Sequence, residues 1–429
     1  MIDLIPSCFG KPEHLDPPIL SSPSQEMTPR FYTLFSVPFL GTALHLSAQE
    51  LSPPKVERPS GYDDIPTSFG FDPAEQLMGL EFGLDASLVY DSNFSQAPNN
   101  SPLGDQNETT FMVSPTISYR RKGTEFSGNA SLTLDYYTYF ENSDRNGLGY
   151  HFDADLGYHG GPLTVTGAYG TSKTQGSNRY LGGTFSETVD QRVSLSASYQ
   201  WSPKTSFDSR FNYHWSSPDQ ATFSNIEDTS FDLSALWQAT PLFRVGPGIA
   251  YSISDGERQV ERETIGPIIR AQYQLGNRVS LDGTLGLDFV DYGGAGGGDD
   301  TSYSARLGIS YVPSVWWSAN FSLYHGTSAD QAVAGAFLET TSIRLGVNRR
   351  IYGASLGLGA SYSMDDSTRP SGIGSPGSSD YFSIDTSLSM PIFADRGNIA
   401  IFYSWRQESG GRGGDWDGHQ VGLSISSKY

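Results

Sequence analysis

Between Thr109 and Phe140 apolar and polar residues alternate with a period of two, and a chain patterned this way presents one greasy and one hydrophilic face of a sheet. In the first arm Phe111, Val113, Pro115, Ile117 and Tyr119 share one parity, with Thr110, Met112, Ser114, Thr116, Ser118 and Arg120 on the other. Arg121-Lys122-Gly123 has the composition of a tight turn. The second arm then sets Phe126, Gly128, Ala130, Leu132, Leu134 and Tyr136 against Ser127, Asn129, Ser131, Thr133 and Asp135. The unit is a β-hairpin, and its arms are longer than the usual five or six residues of a globular strand. A strand that crosses a bilayer at a tilt needs roughly 9–11 residues, with an apolar band between two aromatic girdles. These arms meet both requirements.

The same unit recurs from Leu80 to the last residue and predicts eighteen strands. The short links fall at 121–123, 160–162, 202–204, 240–242, 275–278, 312–315, 350–353 and 393–397. Longer ones, rich in Gly, Ser, Asn and Asp, fall at 91–108, 141–147, 170–187, 216–227, 254–262, 293–301, 326–339, 365–380 and 407–417. Short turns on one side and long loops on the other describe an all-β fold, a transmembrane antiparallel up-and-down barrel over residues 78–429, with periplasmic turns and extracellular loops. Pro115, Pro247 and Pro267 fall inside strands, where each removes a ladder donor, so bulges or strand ends are expected there.

Composition supports a barrel over a soluble fold. Glycine (48) and aromatics (Tyr 24, Phe 24, Trp 7) are abundant while hydrophobic residues make up only 37%, and they are spread singly instead of in the runs a continuous core requires. No stretch of about 18 apolar residues occurs in the body of the chain, which excludes a helical span there and leaves a barrel open. The one long apolar stretch begins after Met27: Arg30, an apolar centre from Phe31 to Leu46, then Ser47 and Ala48. That is the layout of a secretory signal peptide (27–48) cleaved after Ala48. Residues 1–26 read as a non-native or disordered extension with translation starting at Met27, and 49–77, rich in Pro, Gly and charge, as a periplasmic linker. The single cysteine, Cys8, lies in the extension, so the mature chain has no thiol for a disulfide, metal site or nucleophile. Formal charge is −20, and removing residues 1–48 takes away four acidic and two basic residues, leaving −18. Such acidity argues against nucleic acid, because phosphate requires patches of Lys and Arg.

The polar parity holds the candidate pore-lining residues: Glu81, Asp85, Arg120, Asp135, Asp153, Asp155, Asp190, Arg192, Asp208, Arg210, Asp232, Arg270, Asp282, Asp288, Arg306, Arg344, Asp385 and Arg406. Opposite charges on neighbouring strands either pair along the wall or set a transverse field that selects permeants. No catalytic, cofactor or metal residue is predicted. His151 and His159 stand about 26 Å apart at roughly 3.3 Å per residue, too far for one ion. Loop 293–301 and Asp365-Asp366 offer carboxylates to calcium or are plain exposed loops. His214 with Ser206 or Ser209 lacks any motif that would mark a hydrolase, and Gly293–Gly298 lacks the Lys-Ser/Thr of a phosphate loop.

Tyr90-Asp91-Ser92-Asn93-Phe94 at the end of the first strand resembles the opening motif of the β-barrel porin type 2 family of outer-membrane proteins. Val113–Tyr119 and the aromatic run Leu134–Phe140 are also similar to that family, and the resemblance covers about 80–170. It implies an outer-membrane barrel, some members being linked to exopolysaccharide export. The C-terminal VGLSISSKY, with Val421, Leu423, Ile425 and Tyr429 on one parity, resembles the segment by which such proteins engage the barrel-assembly machinery. The expected partners are outer-membrane lipid and lipopolysaccharide, that machinery, and small hydrophilic solutes or polysaccharide. The expected function is a porin-like channel for passive diffusion of small hydrophilic solutes. The alternatives are a component of exopolysaccharide export and a structural or adhesive surface barrel with a closed lumen.

Overall fold

The computed structural model describes residues 79–98, 106–220, 222–256, 261–276, 278–293, 299–333, 336–368, 377–392, 396–411 and 414–428. The expected signal peptide and linker, Cys8, most of the 293–301 loop and Tyr429 lie outside the described residues. Eighteen strands follow one another in chain order: β1 (Leu80–Asp91), β2 (Glu108–Lys122), β3 (Phe126–Tyr139), β4 (Gly147–Gly160), β5 (Leu163–Asn178), β6 (Thr184–Ser202), β7 (Thr205–Pro218), β8 (Ile226–Thr240) and β9 (Phe243–Gly256). The second half comprises β10 (Arg262–Leu275), β11 (Val279–Tyr292), β12 (Asp299–Ser314), β13 (Trp317–Ala329), β14 (Phe337–Ile351), β15 (Ala354–Thr368), β16 (Gly377–Ile392), β17 (Gly397–Ser409) and β18 (Trp416–Lys428). Each strand pairs antiparallel with its neighbours in sequence, and β1 pairs with β18, Leu88 opposite Leu423. The sheet is therefore a closed barrel with no free edge, which is how a β structure satisfies every backbone donor inside lipid.

The apolar parity faces outward. Leu285 is 65% exposed, Ile269 60% and Leu287 55%, whereas inward Ser234 is 0% and Ser206 1%. That inversion of the soluble pattern is stable only if the outer surface meets lipid. The turn-side links are short, as the spacing predicts. At Tyr352-Gly353 both residues have positive φ, 48° and 87°, the backbone of a type I′ two-residue hairpin turn.

Two expectations change. At each strand proline the ladder on one side skips two residue pairs and resumes in the same register: between Val113/Tyr136 and Thr116/Thr133, between Ser234/Gly248 and Trp237/Val245, and between Ile265/Phe289 and Ile268/Gly286. The missing N–H thus opens a gap without inserting a bulge residue. Second, the loops are shorter than the turn-forming composition suggests, because strands continue into them. Most of 170–187 is β5 and β6, the latter the longest strand at 19 residues. Likewise Asp365 and Asp366 lie within β15. Ser, Thr and Gly are turn formers locally, but pairing across sixteen rungs of the β5–β6 ladder holds them extended.

Candidate functional site

All the sequence-selected charged residues fall on the parity opposite the exposed apolar one. At the turn-side rim Glu81 stands 3.9 Å from the Lys428 ammonium, with Asp85 and Arg120 nearby in chain and register. Along β3 and β4, Asp135 accepts from Ser114 at 2.5 Å and lies 2.9 Å from His151 Nε2. Asp155 accepts from Asn129 at 2.9 Å, and Asp153 faces Gly170. His151 is thereby engaged in the wall.

Further round, a denser cluster forms. Arg270, 1% exposed, places Nη2 2.9 Å from Asp282 and Nη1 3.7 Å from Asp208, while Arg210 Nη2 reaches Asp282 at 3.5 Å. Gln272 donates to Asp282 at 3.0 Å. Because β7 and β11 are four strands apart, this cluster cuts across the curve of the wall. A buried guanidinium between two carboxylates is costly to break, since removing one partner strands the other's charge. Asp190 pairs with His214 at 3.3 Å and Asp228 stands 3.8 Å from that ring. His214 is thus held by carboxylates, and Ser209, on the outward parity, cannot meet it. Asp288 accepts from Ser304 at 3.3 Å, Asp385 from Ser383 at 3.4 Å, and Arg406 donates to Asp91 at 3.1 Å. Arg192, Arg210, Arg306, Arg344, Asp190, Asp282, Asp385 and Arg406 all line one cavity of about 960 Å³ within the barrel. Asp232 is half-buried on the inward face of β8.

The loop-side mouth over this cavity is crossed by a structure that no local pattern announces. The β5–β6 hairpin runs beyond its neighbours and ends in the turn Arg179–Leu181. Arg179 at the tip places Nη1 3.0 Å from Asp365 on β15 and 4.0 Å from Glu408 on β17, and Nη2 donates to Ser363 at 3.2 Å. Its guanidinium also hydrogen-bonds Tyr180 Oη and stacks on the rings of Tyr180 and Tyr381, 4.1 and 4.3 Å from their centroids. Burial alone would disfavour the Arg179 charge, but Tyr180, Asp365 and Glu408 outweigh it and raise its pKa further; burial raises that of Tyr180 as well. The tip is therefore a charged lock seated on the far wall.

The base of the hairpin lies on an aromatic bed. Phe94, Tyr137 and Tyr139 form a buried cluster, with Met112 and Phe185 packed on it. Phe94 comes from the Tyr90–Phe94 stretch, whose other residues fasten the same corner. Asp91 accepts from Arg406, Gln420 (2.7 Å) and the Asn93 amide (3.0 Å), and the Asn93 side-chain amide donates to Ala97 and Asp417 carbonyls at 3.0 Å. Gln96 donates to the Ser177 carbonyl of the hairpin at 3.3 Å. Gly183, at φ 77°, passes so close that a Cβ would sit 2.4 Å from the Ser95 carbonyl; only glycine fits. A second crossing comes from the loop after β13. Gln331 accepts from the Ser224 amide at 2.9 Å and donates to Ser216 on β7 at 2.9 Å, and Asp330 accepts from Ser367 at 2.6 Å.

Sequence reasoning missed Arg179, Gln331 and Glu408 because they fall in stretches composed like exposed loops. The calcium reading of Asp365-Asp366 does not survive the geometry. Adjacent strand residues point to opposite faces, and Asp365 is occupied by Arg179, Thr340 and Ser363 while Asp366 is exposed.

No protein-family model matches the chain, and no curated protein is similar to it in sequence. Among solved structures it is similar to OpdK of Pseudomonas aeruginosa with vanillate (11% identity, 82% of this chain and 98% of that one, TM-score 0.40). It is similar also to OccAB4 of Acinetobacter baumannii (10%, 83% and 100%, 0.42) and to the siderophore receptor PirA of P. aeruginosa (11%, 81% and 80%, 0.38). At these scores the barrel rests on its own closed ladder and outward apolar face, which define a transmembrane β-barrel protein.

Proposed function

We propose that the chain is an outer-membrane channel through which small hydrophilic solutes diffuse passively, with the loop side outward and the turns in the periplasm. The observation that carries this reading is a closed eighteen-stranded wall, apolar outside, around a cavity of about 960 Å³ lined by Ser, Thr, Asn, Asp and Arg. Barrels of 16–18 strands are wide enough to hold a water column. Charged residues of both signs line the cavity, where their field acts on a permeant. This reading assigns the wall no catalytic role: His214 is held between Asp190 and Asp228, and Asp228 also accepts from Ser254, so these groups serve each other as wall contacts.

In this reading the β5–β6 hairpin is a lid that narrows the mouth. The same lid favours a second reading, a surface barrel with a closed lumen, because Arg179 is fully engaged across the mouth. Planar-bilayer conductance of the refolded chain separates the two. The channel reading expects discrete steps in the wild type, or in R179Q where the lock is removed. Steps absent from both proteins overturn it.

A further inference from the structure

Several inward arginines of this barrel are spoken for. Arg179, Arg210, Arg270 and Arg406 each hold a carboxylate within 4.0 Å. Arg306 on β12 and Arg344 on β14 differ. Both line the cavity and are exposed to it, and neither has a carboxylate within 4.0 Å among the described residues. Arg306 instead stacks over the ring of Tyr324 at 5.5 Å from its centroid. Asp385, the inward carboxylate of β16, bonds Ser383, and Asp232 feels Arg306 from another part of the wall without an ion pair.

Register places these two arginines as a pair. Arg306 is opposite Tyr324 on β13, and Arg344 is opposite Ser322, two residues along the same strand. Their Cα atoms are thus about 10 Å apart across the sheet and about 7 Å along it. The face is the concave inside of a barrel, so the long side chains converge as they leave it. The strand between them offers Asn320 and Ser322 hydroxyl and amide groups toward the same space, and Ser342 adds a third from β14. Guanidinium groups left without a carboxylate, flanked by neutral donors and facing a cavity of small-molecule size, make a site for an oxyanion. Their planar forks match the paired oxygens of carboxylate or phosphate.

We propose that the β12–β14 wall is a binding subsite for a small hydroxylated oxyanion, gripped by Arg306 and Arg344 with Tyr324 fixing the first guanidinium. It runs against the charge of the chain as a whole, −20, so overall acidity does not set the preference of this lumen. The inference rests on the channel reading for its role in transport, but binding itself tests it independently.

The test uses the full-length chain refolded in detergent, its folding checked by a heat-modifiable gel shift, and titration calorimetry with potassium gluconate, glucose 6-phosphate and glucose. Every titration is repeated on R179Q, so that a seated lid cannot hide the site. Gluconate or glucose 6-phosphate should bind and neutral glucose should bind at least about tenfold more weakly, since charge-assisted bonds are worth roughly that ratio or more. Whichever anion binds tighter identifies the headgroup as carboxylate or phosphate. R306Q and R344Q should each weaken binding about tenfold, and R396Q, at a turn outside the cavity, should leave it unchanged. Should a glutamine variant fail to fold, R306K and R344K, which keep charge and lose the planar fork, should show a smaller loss. Equal affinity for gluconate and glucose, no binding to either protein, or wild-type affinity in the folded R306Q/R344Q double variant overturns the proposal. A conducting barrel without oxyanion binding would leave the channel reading standing. Binding without conductance would do the reverse.

Discussion

The hairpins β10–β11 and β5–β6 are built from the same two-residue alternation and end up doing different work. In β10–β11 each strand has 14 residues and burial alternates over the loop-side half, Ile265, Ile269, Leu285 and Leu287 outward and Thr264, Ile268 and Arg270 inward. In β5–β6 the outward residues of the loop-side half turn mostly polar, Thr171 opposite Gln191 and Lys173 opposite Val189 and 2.6 Å from Glu187. Freed from lipid, this half carries Gln175, Ser177 and Phe185 over the mouth instead of up a wall. Alternation fixes a face; what that face meets depends on whether lipid or protein lies beside it.

The sharpest way to break this comparison is at the tip. Replacing Arg179 by alanine leaves Asp365 and Glu408 facing each other's charge in a buried site, and losing one partner of such a group costs about 3–5 kcal/mol. Hydrogen exchange should show residues 174–190 losing protection by that amount while β10–β11 keeps its own, and equal protection in both hairpins would refute the lock. Lipid contact is the next largest difference. Leu285→Arg, near the middle of β11, should destabilise the barrel in vesicles by about 2–4 kcal/mol, whereas Thr171→Arg should cost about 0–1 kcal/mol; urea titrations of the two variants compare them directly.

Smaller effects sharpen the boundary between hairpin and bed. Tyr139 hydrogen-bonds Gln175, so Tyr139→Phe should loosen the lid by about 1 kcal/mol, visible as exchange at Gly176 and Ser177 and not at the barrel seam. The smallest concerns Glu141, outside the strands, whose carboxylate accepts from the Thr109 amide at 2.7 Å. That bond holds its pKa below the usual carboxylate range. A carboxyl depressed on folding stabilises above its unfolded pKa and loses this as pH falls through the folded value. The Thr109 amide should therefore exchange faster on acidification by an amount worth under about 0.5 kcal/mol at so exposed a site, and Glu141→Gln should abolish the pH dependence.

Much of the fold was legible because its cause is local. Every strand centre, the short turns and the inward parity of residues such as Arg210 and Asp282 follow from alternation repeated along the chain. The ladder gaps at Pro115, Pro247 and Pro267 follow from a missing N–H. Strand ends were less legible, since Ser, Thr and Gly in 170–187 read as a loop until a partner strand is supplied. The candidate site was legible only as a set of charged residues. Arg270, which holds Asp282, and Arg344, which has no carboxylate within 4.0 Å among the described residues, look alike in sequence.

What the amino-acid order determined by itself is a wall: eighteen alternating segments can hide their backbone donors in lipid only by closing on one another. What the tertiary structure decided is the mouth. Arg179 finds Asp365 and Glu408 more than 180 residues further on, and Arg344 finds no carboxylate within 4.0 Å among the described residues. Such meetings are set by which strands closure brings face to face across the lumen, a distance over which a period of two carries no information.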